Sequence, residues 1–98
     1  MNIPAQRISG KRAKKLVDKG AILIDVRSPV DFRDGSIPGA INLSLRQISQ
    51  LVREPRTKTL IFFSNSETDD DLKSATNYAT QMGFTQVFSL GTKENWDK

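Results

Sequence analysis

The chain of 98 residues reads as α/β, a three-layer α/β/α sandwich around a mostly parallel five-stranded sheet. Three observations predict this. Apolar runs of strand length alternate with stretches of helical period, the pattern of parallel strands joined by right-handed crossovers. Two of the runs, 22–24 and 60–63, are apolar without interruption, as in strands covered on both faces. No repeat, low-complexity tract or Pro/Gly/Ser-rich linker divides residues 1–98, so one domain with one core is expected.

The elements follow in order. Gln6 to Ile8 make a short first strand. Ser9 is placed to cap a helix, because its hydroxyl can accept from a first-turn N–H. Ala13, Leu16 and Val17 then recur at helical spacing, and Lys11, Arg12, Lys14, Lys15, Asp18 and Lys19 fall largely on the other side. That basic cluster reads as a solvated face rather than a phosphate-binding stripe. Gly20 stops the helix. Ala21 to Val26 are the second strand, and Ser28-Pro29 opens a helical turn through Phe32, whose ring is expected to plug the core beneath it. Ile37-Pro38-Gly39-Ala40 is a turn, and Ile41 to Leu43 a short strand. Ser44 caps another helix, with Leu45, Ile48, Leu51 and Val52 assigned to its inner side, and Pro55 ends it by removing a donor. Thr59 to Phe63 form the central strand, and a polar loop runs from Ser64 to about Thr68. The next helix spans Asp69 to Met82, with Leu72, Ala75, Tyr78, Ala79 and Met82 as its apolar stripe. Gln86 to Leu90 are the last strand, and Gly91 to Trp96 a terminal turn.

Composition removes several kinds of chemistry. The chain has no cysteine, so it holds no disulfide, no thiolate-bound metal and no thiol nucleophile. It has no histidine, the commonest base near neutral pH. No apolar stretch reaches the roughly 18 residues of a membrane span, and the basic N-terminal residues lack the apolar run of a secretory signal. A soluble, cytoplasmic protein is therefore expected, with no membrane partner. The formal charge of +4 is ordinary for this size, and nucleic acid is not the expected partner.

One segment carries more information than the rest. Residues 22–42 read Ile-Leu-Ile-Asp-Val-Arg-Ser-Pro-Val-Asp-Phe-Arg-Asp-Gly-Ser-Ile-Pro-Gly-Ala-Ile-Asn. A strand ending in Asp25-Val26-Arg27, an acidic-aromatic pair, and then Gly35-x-Ile37-Pro38-Gly39-Ala40-x-Asn42 resembles the signature of rhodanese-like domains, and the flanking elements extend the likeness over nearly the whole chain. On the residues themselves, a carboxylate at a strand end is costly to bury unpaired. Asp25 is thus expected to pair with Arg27 or Arg33, in a small ionic lattice with Asp31. Gly35, Pro38 and Gly39 complete the structural signature as turn-forming residues. Ser36 stands where the family phrase usually has histidine, and it is placed away from any chemistry.

The resemblance also implies where a reaction centre belongs. In the family, the strand matching residues 60–63 delivers a cysteine that carries sulfur as a persulfide. A loop of backbone N–H groups and a helix N-terminus then lower the thiol pKa. Ser64 occupies that position here, followed by Asn65, Ser66, Glu67, Thr68 and Asp69. Arginine, frequent in sulfur-transferring loops, is missing from this stretch, and Glu67, Asp69, Asp70 and Asp71 are present. A serine cannot form a persulfide, and the carboxylates disfavour both a thiolate and an anionic substrate. One substitution does not account for the acids as well, which argues against Ser64 as an engineered replacement. Serine hydrolysis lacks a histidine base and a Gly-x-Ser-x-Gly elbow. The acids match no EF-hand and suit a helix's first turn, where Thr68 or Asp69 can cap.

The expectation is a catalytically silent rhodanese-like domain serving as a binding or regulatory module. Residues Ser64 to Asp69 form a degenerate loop with no catalytic residue, no metal and no cofactor. A protein partner is expected rather than a small anion, and the chain is expected to be monomeric. The alternative is an enzyme: a sulfurtransferase relative that assists a partner's thiol, or a phosphatase-like protein acting through the Ser64 loop.

Overall fold

The computed structural model describes residues 5–97. Its elements are β1 (Gln6–Arg7), α1 (Gly10–Asp18), β2 (Ile22–Asp25), α2 (Pro29–Asp34), β3 (Ile41–Asn42), a 3₁₀ helix η1 (Leu45–Arg53), β4 (Thr59–Ser64), α3 (Asp70–Gln81), β5 (Gln86–Thr92) and a second 3₁₀ helix η2 (Lys93–Asp97). The sheet order is β1-β5-β4-β2-β3 and every pairing is parallel.

Alternation along the strands builds the two outer layers. Ile24, Leu60 and Phe62 face η1 and α3, in a core completed by Ile48, Leu51, Leu72, Ala75, Ala79 and Phe84. Leu23, Ile61 and Phe63 point the other way, onto Ile8, Ala13, Ile37, Phe88 and Leu90, with Leu16, Val17 and Trp96 packed around them. The uninterrupted apolar runs are therefore strands with a core on each side. The layer on α1 is sealed at its N-terminus by η2: a Cβ on Gly10 would collide with the Asn95 carbonyl oxygen. Only glycine permits that approach.

Three packing expectations are corrected. Val52 is 57% exposed, not turned inward. Residues 45–53 form a 3₁₀ helix, in which positions three apart eclipse; 48 and 51 face the core and 52 turns out. Tyr78 is 42% exposed, and Thr76 takes a buried place on α3 instead. At 3.6 residues per turn Tyr78 lies about 120° around the helix from Leu72. Phe32 is half-buried and belongs to neither core; α2 contributes no buried residue. Ile37, beyond the turn, fills the space beneath it at 5% exposure.

Two differences bear on the site. β4 continues through Ser64, which is 2% exposed and hence strand rather than loop. β5 runs to Thr92 and contains a bulge: Phe62 pairs with Ser89 but Phe63 with Gly91, so Leu90 is extra. Gly91 follows it at φ +83°. A parallel sheet gathers its C-terminal ends on one edge, where open α/β sheets place their ligands. Here that edge assembles Asp25, Asn42, Ser64 and Thr92.

Candidate functional site

Two clusters sit on this edge. The first is organised by Asp25, which is fully buried. Its Oδ1 accepts from the Arg27 backbone N–H at 2.9 Å and from Nε at 3.0 Å. Its Oδ2 accepts from Arg27 Nη2 at 2.8 Å and from the Ser36 hydroxyl at 2.8 Å. The same Arg27 Nη2 donates to the Gly35 carbonyl at 2.7 Å. Asn42 completes the unit, its Nδ2 donating to the carbonyls of Asp25 and Arg27 at 2.9 and 3.0 Å. The two-residue spacing of Asp25 and Arg27 at a strand end lets one side chain fold back bidentately on the other.

The charges follow from this geometry. The Arg27 pKa is raised, first by the hydrogen bonds to Asp25 and also by the charges of Asp25, Asp31 and Glu94, against the opposing effect of burial. Of the two arginines considered, Arg27 is the partner. Arg33 is exposed and takes no part in the lattice, because it leaves α2 on the solvent side. Asp31 turns instead to Asn65, whose Nδ2 lies 3.3 Å away. Ser36 also joins the lattice, bonded to its central carboxylate. The turn behaves as its sequence directs. Ala40 N–H donates to the Ile37 carbonyl at 3.0 Å. Pro38 takes the first corner and Gly39, at φ +88°, the second.

The second cluster is the segment from Ser64 to Asp69. The buried Ser64 hydroxyl donates to Oδ2 of Asp69. Oδ1 of Asp69 accepts from the Asp71 N–H at 3.3 Å and so caps α3. Ser66 and Thr68 brace the loop between them, with hydroxyls 3.1 Å apart and the Thr68 N–H donating to Ser66 Oγ. Glu67 folds back across β5. Its Oε1 is 3.1 Å from Arg7 Nε, and a Cβ on Gly91 would meet its Cγ at 2.5 Å. Arg7 thus brings positive charge to the loop from β1, 60 residues distant in sequence. No pattern within the loop signals it.

The arrangement has a definite chemistry. A hydroxyl that donates to a carboxylate keeps its proton and carries no negative charge. Glu67 answers Arg7 and Asp69 answers Ser64 and the N-terminus of α3, so the acids diverge onto separate partners. Among the described residues, no group of three or more Asp and Glu side chains converges as a metal site would require. No helix among them is long and apolar enough to cross a membrane.

The family pattern described as Rhodanese-like domain matches residues 9–97. The chain is 33% identical over 96 residues to thiosulfate sulfurtransferase GlpE of Pseudomonas syringae, covering 93% of this chain and 86% of that protein. Among solved structures, the human single-domain sulfurtransferase TSTD1 superposes with a TM-score of 0.74 at 24% identity, over 94% of this chain and 95% of that one. The BH2092 protein of Bacillus halodurans gives 0.77 at 21% identity, over 95% and 72%.

Proposed function

This chain belongs to the rhodanese-like domain family, and from that premise we propose that it is a member without sulfur-transfer activity, acting as a binding or regulatory module. One observation carries the reading. Ser64, at the position where the resemblance puts the family's cysteine, is a buried hydroxyl tied to the Asp69 carboxylate, in a chain with no thiol anywhere. A persulfide needs a thiolate, and a thiolate needs positive surroundings. Among the described residues, Arg7 reaches the loop from β1 and is paired there with Glu67. The curated relative from Pseudomonas is named a thiosulfate sulfurtransferase; that chemistry does not pass to a chain lacking the sulfur carrier.

A second reading rests on the same hydrogen bond. A serine touching a carboxylate is a nucleophile beside a base, the minimum for hydrolysis, including a phosphatase-like reaction. Against it stand the weak basicity of an aspartate, the burial of Ser64 and the repulsion of a phosphate by Glu67, Asp70 and Asp71. Both readings meet one experiment. Purified protein is assayed for thiosulfate:cyanide sulfur transfer and for phosphomonoester hydrolysis, beside a Ser64→Ala variant. A binding module gives no rate above a heat-inactivated control, in either protein. Turnover that disappears in Ser64→Ala establishes the enzyme reading and removes the module reading.

A further inference from the structure

A cleft of about 280 Å³ lies between the turn at residues 35–38 and η2, and no residue of the Ser64 loop lines it. Its apolar lining includes Ile37, Pro38 and the indole of Trp96, and its charged lining is Lys93, Glu94 and Asp97. Lys93 is already committed: its Nζ donates to the Gly35 carbonyl at 3.2 Å, the same oxygen that receives Arg27. Asp97 has a distant contact with Lys14, at 3.9 Å. Glu94 is exposed and has neither an ion pair nor a hydrogen bond among the described residues. The indole already serves as a platform for a cation, with Lys14 Nζ 5.2 Å from its centroid.

We propose that this cleft receives a cationic side chain, an arginine in preference to a lysine, presented by a partner protein. The inference rests on the binding-module reading and gives that module a ligand chemistry. Charge selects the ligand's sign. The lining sets the cation Lys93 against the carboxylates Glu94 and Asp97, so its excess charge is negative and favours a cationic ligand, and Glu94 is the carboxylate in no ion pair among the described residues. Shape selects arginine. A guanidinium is planar, stacks on an aromatic ring and is weakly hydrated, while its fork can reach a carboxylate. The aliphatic stem of the same side chain would lie along Ile37 and Pro38. An arginine in an aromatic-lined pocket is a common anchor of protein interfaces. The cleft is also mechanically joined to the signature, since the Gly35 carbonyl is shared between its Lys93 and the Arg27 of the lattice.

The chain has one tryptophan, so its fluorescence reports on this cleft alone. The test titrates the protein with the blocked tripeptide Gly-Arg-Gly, and separately with its citrulline and glutamate counterparts. Trp96 emission and the amide signals of residues 35–37 and 93–97 are followed together. The expected result is saturable change in both signals with the arginine peptide, and about three- to five-fold weaker binding of the uncharged citrulline form. Glu94→Gln should weaken the arginine peptide by a similar factor, and Asp18→Asn, at the far end of α1, should not. Lack of any change in both signals at millimolar peptide overturns the proposal. Equal binding of arginine and citrulline, preference for glutamate, or indifference to Glu94→Gln overturns it too. The module reading is decided separately, by turnover, so either can fail without the other.

Discussion

The Asp25 cluster and the Ser64 loop share an edge of one sheet, and each is centred on a serine hydroxyl donating to a carboxylate. They differ in what else surrounds that carboxylate. Asp25 is fully buried and has a guanidinium wrapped around it, and each of its oxygens accepts more than one hydrogen bond. Asp69 is half-exposed and has a helix N-terminus and further acids beside it. Burial makes the first cluster unforgiving, because any lost partner leaves an uncompensated charge in low dielectric. Solvent relaxes the second, which can change its chemistry while the fold stands. If Ser64 stands in for a cysteine, as proposed, the reaction centre has changed without disturbing the signature that identifies the family.

The sharpest way to break this contrast is at Arg27. Arg27→Met should cost about 3–5 kcal/mol in urea unfolding, since it strands a buried carboxylate, and Arg27→Met with Asp25→Leu should recover much of that loss. A cost below about 1 kcal/mol for the single variant would place the lattice on the same footing as the loop. The sign of its pH dependence is fixed as well. A raised pKa gives stability that is complete below the ordinary arginine range and is lost only as pH climbs through the folded value. Arg27 should thus add no slope to unfolding free energy between roughly pH 5 and 9.

Gly91→Ala tests how firmly the loop is seated. The added methyl meets Glu67 at 2.5 Å, at a backbone φ of +83°. Glu67 is a flexible side chain and can swing away, so the backbone strain dominates, at about 1–2 kcal/mol by thermal unfolding. Loss of the Arg7–Glu67 contact should show in the side-chain signals of Arg7.

Ser64→Cys sharpens the comparison chemically. The thiol would sit against Asp69, and its pKa should move above the ordinary cysteine value, through burial and the neighbouring negative charge. Alkylation by iodoacetamide at pH 8 should be slower than for free cysteine, sulfur transfer should stay absent, and stability should change by about 1 kcal/mol or less. Adding Asp69→Asn should speed alkylation. Fast alkylation of the single variant would mean that the loop still favours a thiolate. The smallest effect is expected for Glu67→Gln, whose ion pair with Arg7 is solvent-exposed: within about 0.5 kcal/mol by denaturant titration.

The sequence carries the layer order, the parallel sheet and the buried Asp25–Arg27 pair, because each follows from local signals: uninterrupted apolar runs, helical spacing, and two charged residues two positions apart at a strand end. It does not carry what depends on exact periodicity or on distant chain. Val52 and Leu51 are equally apolar, and only the tighter turn of a 3₁₀ helix decides which one faces inward. Tyr78 passes for a core residue because its ring is large, although its angle on α3 is wrong. Ser36 joins Asp25 across eleven residues, and Arg7 joins Glu67 across the sheet. Gly10 gives no sequence signal at all; its reason is the backbone of η2 lying against it. The lack of any cysteine is legible in the composition, but the partner of Ser64 emerges only from the fold.

The two outermost strands, β1 and β3, are each two residues long. So short a ladder leaves few free backbone groups to template a further strand, which protects the domain from edge-to-edge aggregation and from capture by extended segments of other chains. Any stable partner must therefore engage side chains rather than extend the sheet. Its selectivity will be set by residues that can drift in evolution without altering the backbone they stand on.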